Sequence, residues 1–192
     1  MSRRDPGRRG DDALLENVAR LLTEPAGSFR TVAIEDATLD LGEDLALAAP
    51  ISGTIRIART NRGVLVTGSV SASLAETCSR CLRPVRVPVR VDLEEEVLPS
   101  LDIATGLPVR GDDEPDAARL TDHHELDLEP LVREGIQLAE PIAPLCRPDC
   151  PGLCVVCGGE LAGGSHDHPE APIDPRLEAL RAFRRDDGPE TG

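Results

Sequence analysis

Residues 64–91 read VLVTGSVSASLAETCSRCLRPVRVPVRV. Val64, Val66, Gly68, Val70, Ala72 and Leu74 alternate with Leu65, Thr67, Ser69, Ser71 and Ser73. Val85, Val87, Val89 and Val91 then alternate with Arg86, Pro88 and Arg90. A period of two places one set on a buried face and the other on an exposed one, which is the pattern of half-buried strands. Two such runs separated by TCSRCLRP predict an antiparallel hairpin whose tip carries Cys78-Ser-Arg-Cys81. Pro84 and Pro88 cannot donate to a ladder, so the second strand belongs at an edge or is bulged.

Moving outward, Ile51, Gly53, Ile55 and Ile57 alternate with polar residues and predict another strand, and Phe29 to Ile34 a shorter one. A helix is expected from Asp11 or Asp12 as cap, with Leu14, Leu15, Val18, Leu21 and Leu22 on one face and Pro25 and Gly27 ending it. A second is expected near Asp127, faced by Leu128, Leu131, Val132 and Leu138 and stopped by Pro141. A third is expected from Asp174 and Pro175, with Leu177, Leu180 and Phe183 as its stripe. The expected fold is α+β: an antiparallel sheet, partly barrel-like, with two or three flanking helices and a Cys-rich C-terminal knuckle. One domain is expected over residues 11–184, with a disordered arm at 1–10, a mobile acidic loop at about 100–122 and a disordered tail at 185–192.

The chain has 192 residues and a formal net charge of −14. All 21 basic residues are Arg, Trp and Tyr are absent, and the two Phe are Phe29 and Phe183. Nonspecific electrostatic coating of nucleic acid needs the opposite charge, and base stacking needs aromatics that are missing. No apolar run reaches the ~20 residues of a membrane span. The N-terminal MSRRDPGRRGDD runs into acids rather than an apolar stretch, so a cytoplasmic protein without a secretory signal is expected. The charge is uneven: residues 92–129 hold thirteen acids against Arg110 and Arg119, a net of −11, whereas Arg80, Arg83, Arg86 and Arg90 have no acid between them.

The six cysteines fall as Cys78 and Cys81, then Cys146, Cys150, Cys154 and Cys157. In a reducing compartment, closely spaced cysteines bind metal more often than they form disulfides. Zinc takes four thiolates at tetrahedral corners, and the two C-x-x-C turns, Cys78/Cys81 and Cys154/Cys157, would supply them. The local quartet Cys146, Cys150, Cys154 and Cys157, and the mixed set Cys78, Cys81, Cys146 and Cys150, remain open. His166 or His168 could replace one thiolate, whereas His123 and His124 lie in polar sequence. Reduced thiols without metal and a redox dithiol are the other states open to such pairs. A closed four-thiolate site is structural, with no open coordination position.

The segments GVLVTGSVSASLAETCSRCL, VDLEEEVLP, LDLEPLVREGIQLAEPIAPLCRPDCPGLCVVCGGEL and IDPRLEALRAF, in that order, resemble the YceD family, the large ribosomal RNA subunit accumulation proteins of bacteria and chloroplasts. The composition is similar to that of actinobacterial members. The matching motif positions are Cys78, Arg80, Cys81, Cys146, Asp149, Cys150, Gly152, Leu153, Cys154, Cys157 and Gly158. Val155 stands where a Pro is common, and Glu160-Leu161 where Asn-Leu is usual. The resemblance implies a non-enzymatic role in synthesis, processing or stability of large-subunit ribosomal RNA. Its partners would be that RNA, a pre-ribosomal particle or a ribosomal protein, with no membrane and no small-molecule substrate. No catalytic residue carries over. Arg80, Arg83, Arg86 and Arg90 are the residues expected to contact RNA or a partner, because the guanidinium fork suits phosphate. The other readings are a zinc-stabilised protein-interaction module without direct RNA contact, and a thiol redox protein.

Overall fold

A computed structural model describes residues 14–109, 116–164, 167–168 and 176. The chain divides into two compact units, Met1–Cys150 and Pro151–Gly192. The first unit contains β1 (Leu15–Asn17), α1 (Ala19–Thr23), β2 (Phe29–Ala37), β3 (Leu47–Arg59), β4 (Val64–Thr77), β5 (Pro84–Val97), β6 (Glu125–Asp127) and α2 (Glu129–Ala139). The second contains a 3-10 turn at Leu161–Gly163. The described part is a sheet-rich α+β fold in which no helix is long and apolar enough to cross a membrane.

The hairpin of residues 64–91 forms and is longer than its alternating runs. Strands β4 and β5 pair without a slip from Thr77↔Pro84 to Val64↔Val97. The sheet order is β2-β3-β4-β5, so β5 is an edge, where a strand accommodates proline. The order is also open: β2 and β5 do not meet, and the barrel-like closure expected from the sequence is absent among the described residues.

One face of this sheet is the core. Val64, Val66, Val70, Ala72 and Leu74 of β4 are buried with Ile51, Ile55 and Ile57 of β3 and Val89, Val91, Leu93 and Val97 of β5. Gly68 keeps the same parity but has φ 149, and a Cβ there would lie 2.4 Å from the Thr54 carbonyl oxygen of β3. Helix α2 covers β5 with Val132 and Ile136. The expected helical face is shifted by this packing: Ile136 is buried, whereas Leu138 is exposed.

One other expectation changes. The first helix begins only at Ala19, because Leu15–Asn17 pairs with Glu125–Asp127 as a strand. Leu14, Val18, Leu21 and Leu22 are buried as expected, but across a strand and a short helix. Within the acidic stretch 92–129, Glu94–Glu96 belong to β5, Leu98 bridges Arg119, and Leu120 is in the core. Residues 110–115, the helix expected from Asp174, the arm at 1–10 and the tail at 185–192 lie outside the described residues, apart from Arg176.

Gly135 lets α2 sit close on β5, since a Cβ at this position would lie 2.3 Å from Val91 Cγ1. Alanine is the better helix former by ~1 kcal/mol, yet Val91 is β-branched and stiff at χ1. Gly135→Ala is therefore expected to destabilise the protein by ~1–3 kcal/mol through overpacking. Urea unfolding reads this as a lowered midpoint, and an unchanged or raised midpoint would contradict the close approach.

Candidate metal centre

The loop between β4 and β5 folds into a knuckle. The Cys78 N–H donates to the Arg83 carbonyl at 2.8 Å, and the Leu82 N–H donates to the Cys78 carbonyl at 2.9 Å. Leu82 adopts a left-handed conformation, φ 58, to close the turn. This geometry turns both sulfurs inward, and Cys78 and Cys81 are buried. The chain after α2 comes to the same place. The Ser79 N–H donates to the Pro144 carbonyl at 2.8 Å, and the Arg80 guanidinium donates to the Cys150 carbonyl at 2.9 Å. A turn closed by the Cys150 N–H on the Arg147 carbonyl, 3.1 Å, presents Cys146 and Cys150 to the knuckle.

Cys78 Sγ lies 3.8 Å from Cys150 Sγ, and Cys81 Sγ lies 3.7 Å from Cys146 Sγ. All four sulfurs lie within 4.8 Å of one another. None of the six cysteines is in a disulfide, and these separations far exceed the ~2.05 Å of an S–S bond. Four sulfurs bonded tetrahedrally to one metal at about 2.3 Å would be separated by about 3.8 Å. The cluster could therefore hold a metal ion with its sulfurs almost where they stand.

Its electrostatics favour ligation. Backbone N–H groups of Cys81, Cys146 and Arg80 lower the Cys78 thiol to about 6, against the opposing effect of burial. The Arg83 side chain, whose Nε lies 3.5 Å from Cys81 Sγ, is the main cause that lowers the Cys81 thiol. Thiolates are the metal-binding form. Two members of the arginine stripe thus serve the cluster: Arg80 ties the knuckle to Cys150 and Arg83 donates to a sulfur. Arg86 and Arg90 are exposed along β5, and Arg90 lies 3.3 Å from Asp92 in a solvent-facing pair of the kind worth ~0–1 kcal/mol.

Of the cysteine sets that the spacing leaves open, the mixed one is drawn together in the first unit. Cys154 and Cys157 lie in the second unit, where their sulfurs are within 4.8 Å of each other and of a His168 ring nitrogen. His123 is exposed, His124 is half-buried with φ 57, and His166 lies outside the described residues. The meeting of Cys146 and Cys150 with the hairpin tip depends on a contact across 65 or more positions. Local spacing carries no signal for it, since Cys146/Cys150 and Cys150/Cys154 share the same C-x-x-x-C step.

Residues 66–184 match the family described as large ribosomal RNA subunit accumulation protein YceD. The chain belongs to the YceD family. Similar proteins include uncharacterized ones of Mycobacterium bovis and Mycobacterium tuberculosis, each 36% identical over 167 residues, covering 85% of this chain and 78% of theirs. An uncharacterized protein of Mycobacterium leprae is 34% identical over 143 residues, covering 74% of this chain and 63% of its own. The composition thus agrees with an actinobacterial-like YceD member. No solved structure matches the chain. Both cysteine clusters fall inside the YceD match.

Because the Arg83 side chain is the main cause that lowers the Cys81 thiol, its removal raises that thiol toward its ordinary value. Metal must then displace a proton that is held more tightly than in the native protein. In Arg83→Gln the pH at half-maximal zinc uptake is expected to move upward, as read by a titration with a chromophoric zinc indicator. An unchanged or lower midpoint would contradict the role given to this guanidinium.

Proposed function

We propose that this YceD protein is a non-enzymatic, zinc-stabilised cytoplasmic factor that supports the accumulation of large-subunit ribosomal RNA by binding that RNA or a pre-ribosomal particle. The observation that carries the reading is the match of residues 66–184 to a family described by that role. Zinc is proposed because four thiolates at tetrahedral spacing suit its borderline-soft character. Cys78, Cys81, Cys146 and Cys150 are proposed as ligands, in place of the pairing of Cys78 and Cys81 with Cys154 and Cys157, because their sulfurs already stand at the required separation. Four thiolates around a divalent ion leave a net negative charge, which Arg80 and Arg83 beside the cluster offset. Closed coordination gives the ion a structural task rather than hydrolytic chemistry.

Arg86 and Arg90 are the proposed contacts to phosphate. They are exposed on an edge strand that leads directly from the knuckle, so the metal would fix the end of the surface they occupy. A second reading, contact with a protein rather than RNA, is favoured by an apolar groove of about 390 Å³ beside the same strand. Val87, Pro88, Pro141, Pro144, Leu145 and Pro148 contribute to its lining, and Ile142 in the same loop is fully exposed.

Two measurements test the proposal. Cys150→Ser should lower the zinc affinity of the first cluster by at least about a hundredfold, since loss of an outer-shell partner alone costs tenfold to a hundredfold. Metal analysis after dialysis against a competing chelator reads this, and undiminished zinc would contradict the ligand set. Arg86→Gln with Arg90→Gln should reduce recovery of large-subunit RNA with the tagged protein by about tenfold, with zinc content and unfolding midpoint unchanged. RNA recovery equal to wild type would remove the phosphate contact, and retention of a protein partner without RNA would favour the second reading.

A further inference from the structure

We propose that the second unit holds a zinc ion of its own, bound by Cys154, Cys157 and His168 and more readily exchanged than the ion of the first cluster. The two C-x-x-C turns repeat the same backbone construction. The Cys154 N–H donates to the Gly159 carbonyl at 2.8 Å as the Cys78 N–H does to Arg83, and the Gly158 N–H donates to the Cys154 carbonyl at 2.8 Å as Leu82 does to Cys78. Gly158, with φ 71, takes the left-handed place of Leu82. The sulfurs are also served from the backbone: the Val156 N–H lies 3.4 Å from Cys154 Sγ, and the Gly159 N–H lies 3.4 Å from Cys157 Sγ. A ring nitrogen of His168 joins them within 4.8 Å.

An independent reason comes from packing. Among the described residues of Pro151–Gly192 no hydrophobic side chain is buried, and Val155 and Val156 face solvent. Segments of about 40 residues or fewer rarely organise without a metal, a disulfide or a partner, and Cys154 and Cys157 are not in a disulfide. Two thiolates and a neutral imidazole match the charge of a divalent ion without needing arginines, and this N/S donor set suits zinc. Three donors leave a fourth position for water or a further ligand. Cys157 is exposed and Cys154 half-buried, whereas the first cluster buries Cys78, Cys81 and Cys150. A chelator can therefore reach the second ion first.

The test is zinc stoichiometry of the full chain, with release followed by a chromophoric chelator. Wild type should carry two ions, one leaving at least tenfold faster than the other. Cys154→Ser with Cys157→Ser should carry one, the slow ion, and His168→Ala should bind the fast ion at least tenfold more weakly. Circular dichroism shows whether the sheet is intact in each variant. A wild type with one ion that Cys154→Ser with Cys157→Ser retains, or a count of two unaltered by that pair, would overturn the second site and leave the first untouched. Loss of only the slow ion in Cys78→Ser with Cys150→Ser would support two separate sites. Retention of both ions there would instead remove the first cluster as a metal site.

Discussion

Four sulfur atoms within 4.8 Å of one another, three of them on buried residues, are the constraint around which the first unit is arranged. Thiolates so close repel one another unless a cation lies between them, and the surrounding N–H groups and Arg83 already pull Cys78 and Cys81 toward the charged form. Their chain positions explain the architectural consequence. Cys78 and Cys81 terminate the β4–β5 hairpin, while Cys146 and Cys150 follow α2. Helix α2 is pressed on β5 through Gly135 and Val91, so on the proposed reading a metal would fasten the continuation of that helix to the same hairpin a second time.

This division of labour suits an aliphatic core. The buried face is made of Val, Ile, Leu and Ala, with no aromatic among its members, and each Val, Ile or Leu side chain contributes roughly 1.5–3 kcal/mol on full burial. Strand β5 also sorts charge along its length. Arg86 and Arg90 occupy the half leading from the knuckle, and Glu94, Glu95 and Glu96 occupy the opposite half. The acidic end is held in place, with Thr60 donating to Glu96 at 2.9 Å and Arg62 3.9 Å away. An approaching polyanion would meet attraction at one end of the strand and repulsion at the other, which gives a weakly basic surface a direction.

Much of this was legible from local pattern. The alternation of Val64 to Leu74 and Val85 to Val91 set both strands and the face they bury, and Pro84 and Pro88 limited β5 to an edge or a bulge, of which the fold uses the edge. Pattern failed where partners lie far apart in the chain. Leu14, Leu15, Val18, Leu21 and Leu22 satisfy a helical period, yet pairing with Glu125–Asp127 makes part of that stretch a strand. The alternation read for the second strand stops at Val91, but the register with β4 carries the strand on through Glu94–Glu96. Leu138 fits the period of α2 and still faces solvent, because the contact with β5 selects Val132 and Ile136. At the candidate site, the C-x-x-C turns were readable as knuckles, while the choice of partners for Cys78 and Cys81 was not. Spacing sets what one turn can present, and only the tertiary fold sets which two turns meet.

The most direct test of the central claim is X-ray absorption at the zinc edge on the full chain carrying Cys154→Ser and Cys157→Ser, which confines the measurement to the first cluster. The expected spectrum is a single shell of four sulfurs at about 2.3 Å. A shell containing nitrogen or oxygen donors, or protein that takes up no zinc, would contradict a centre built from Cys78, Cys81, Cys146 and Cys150.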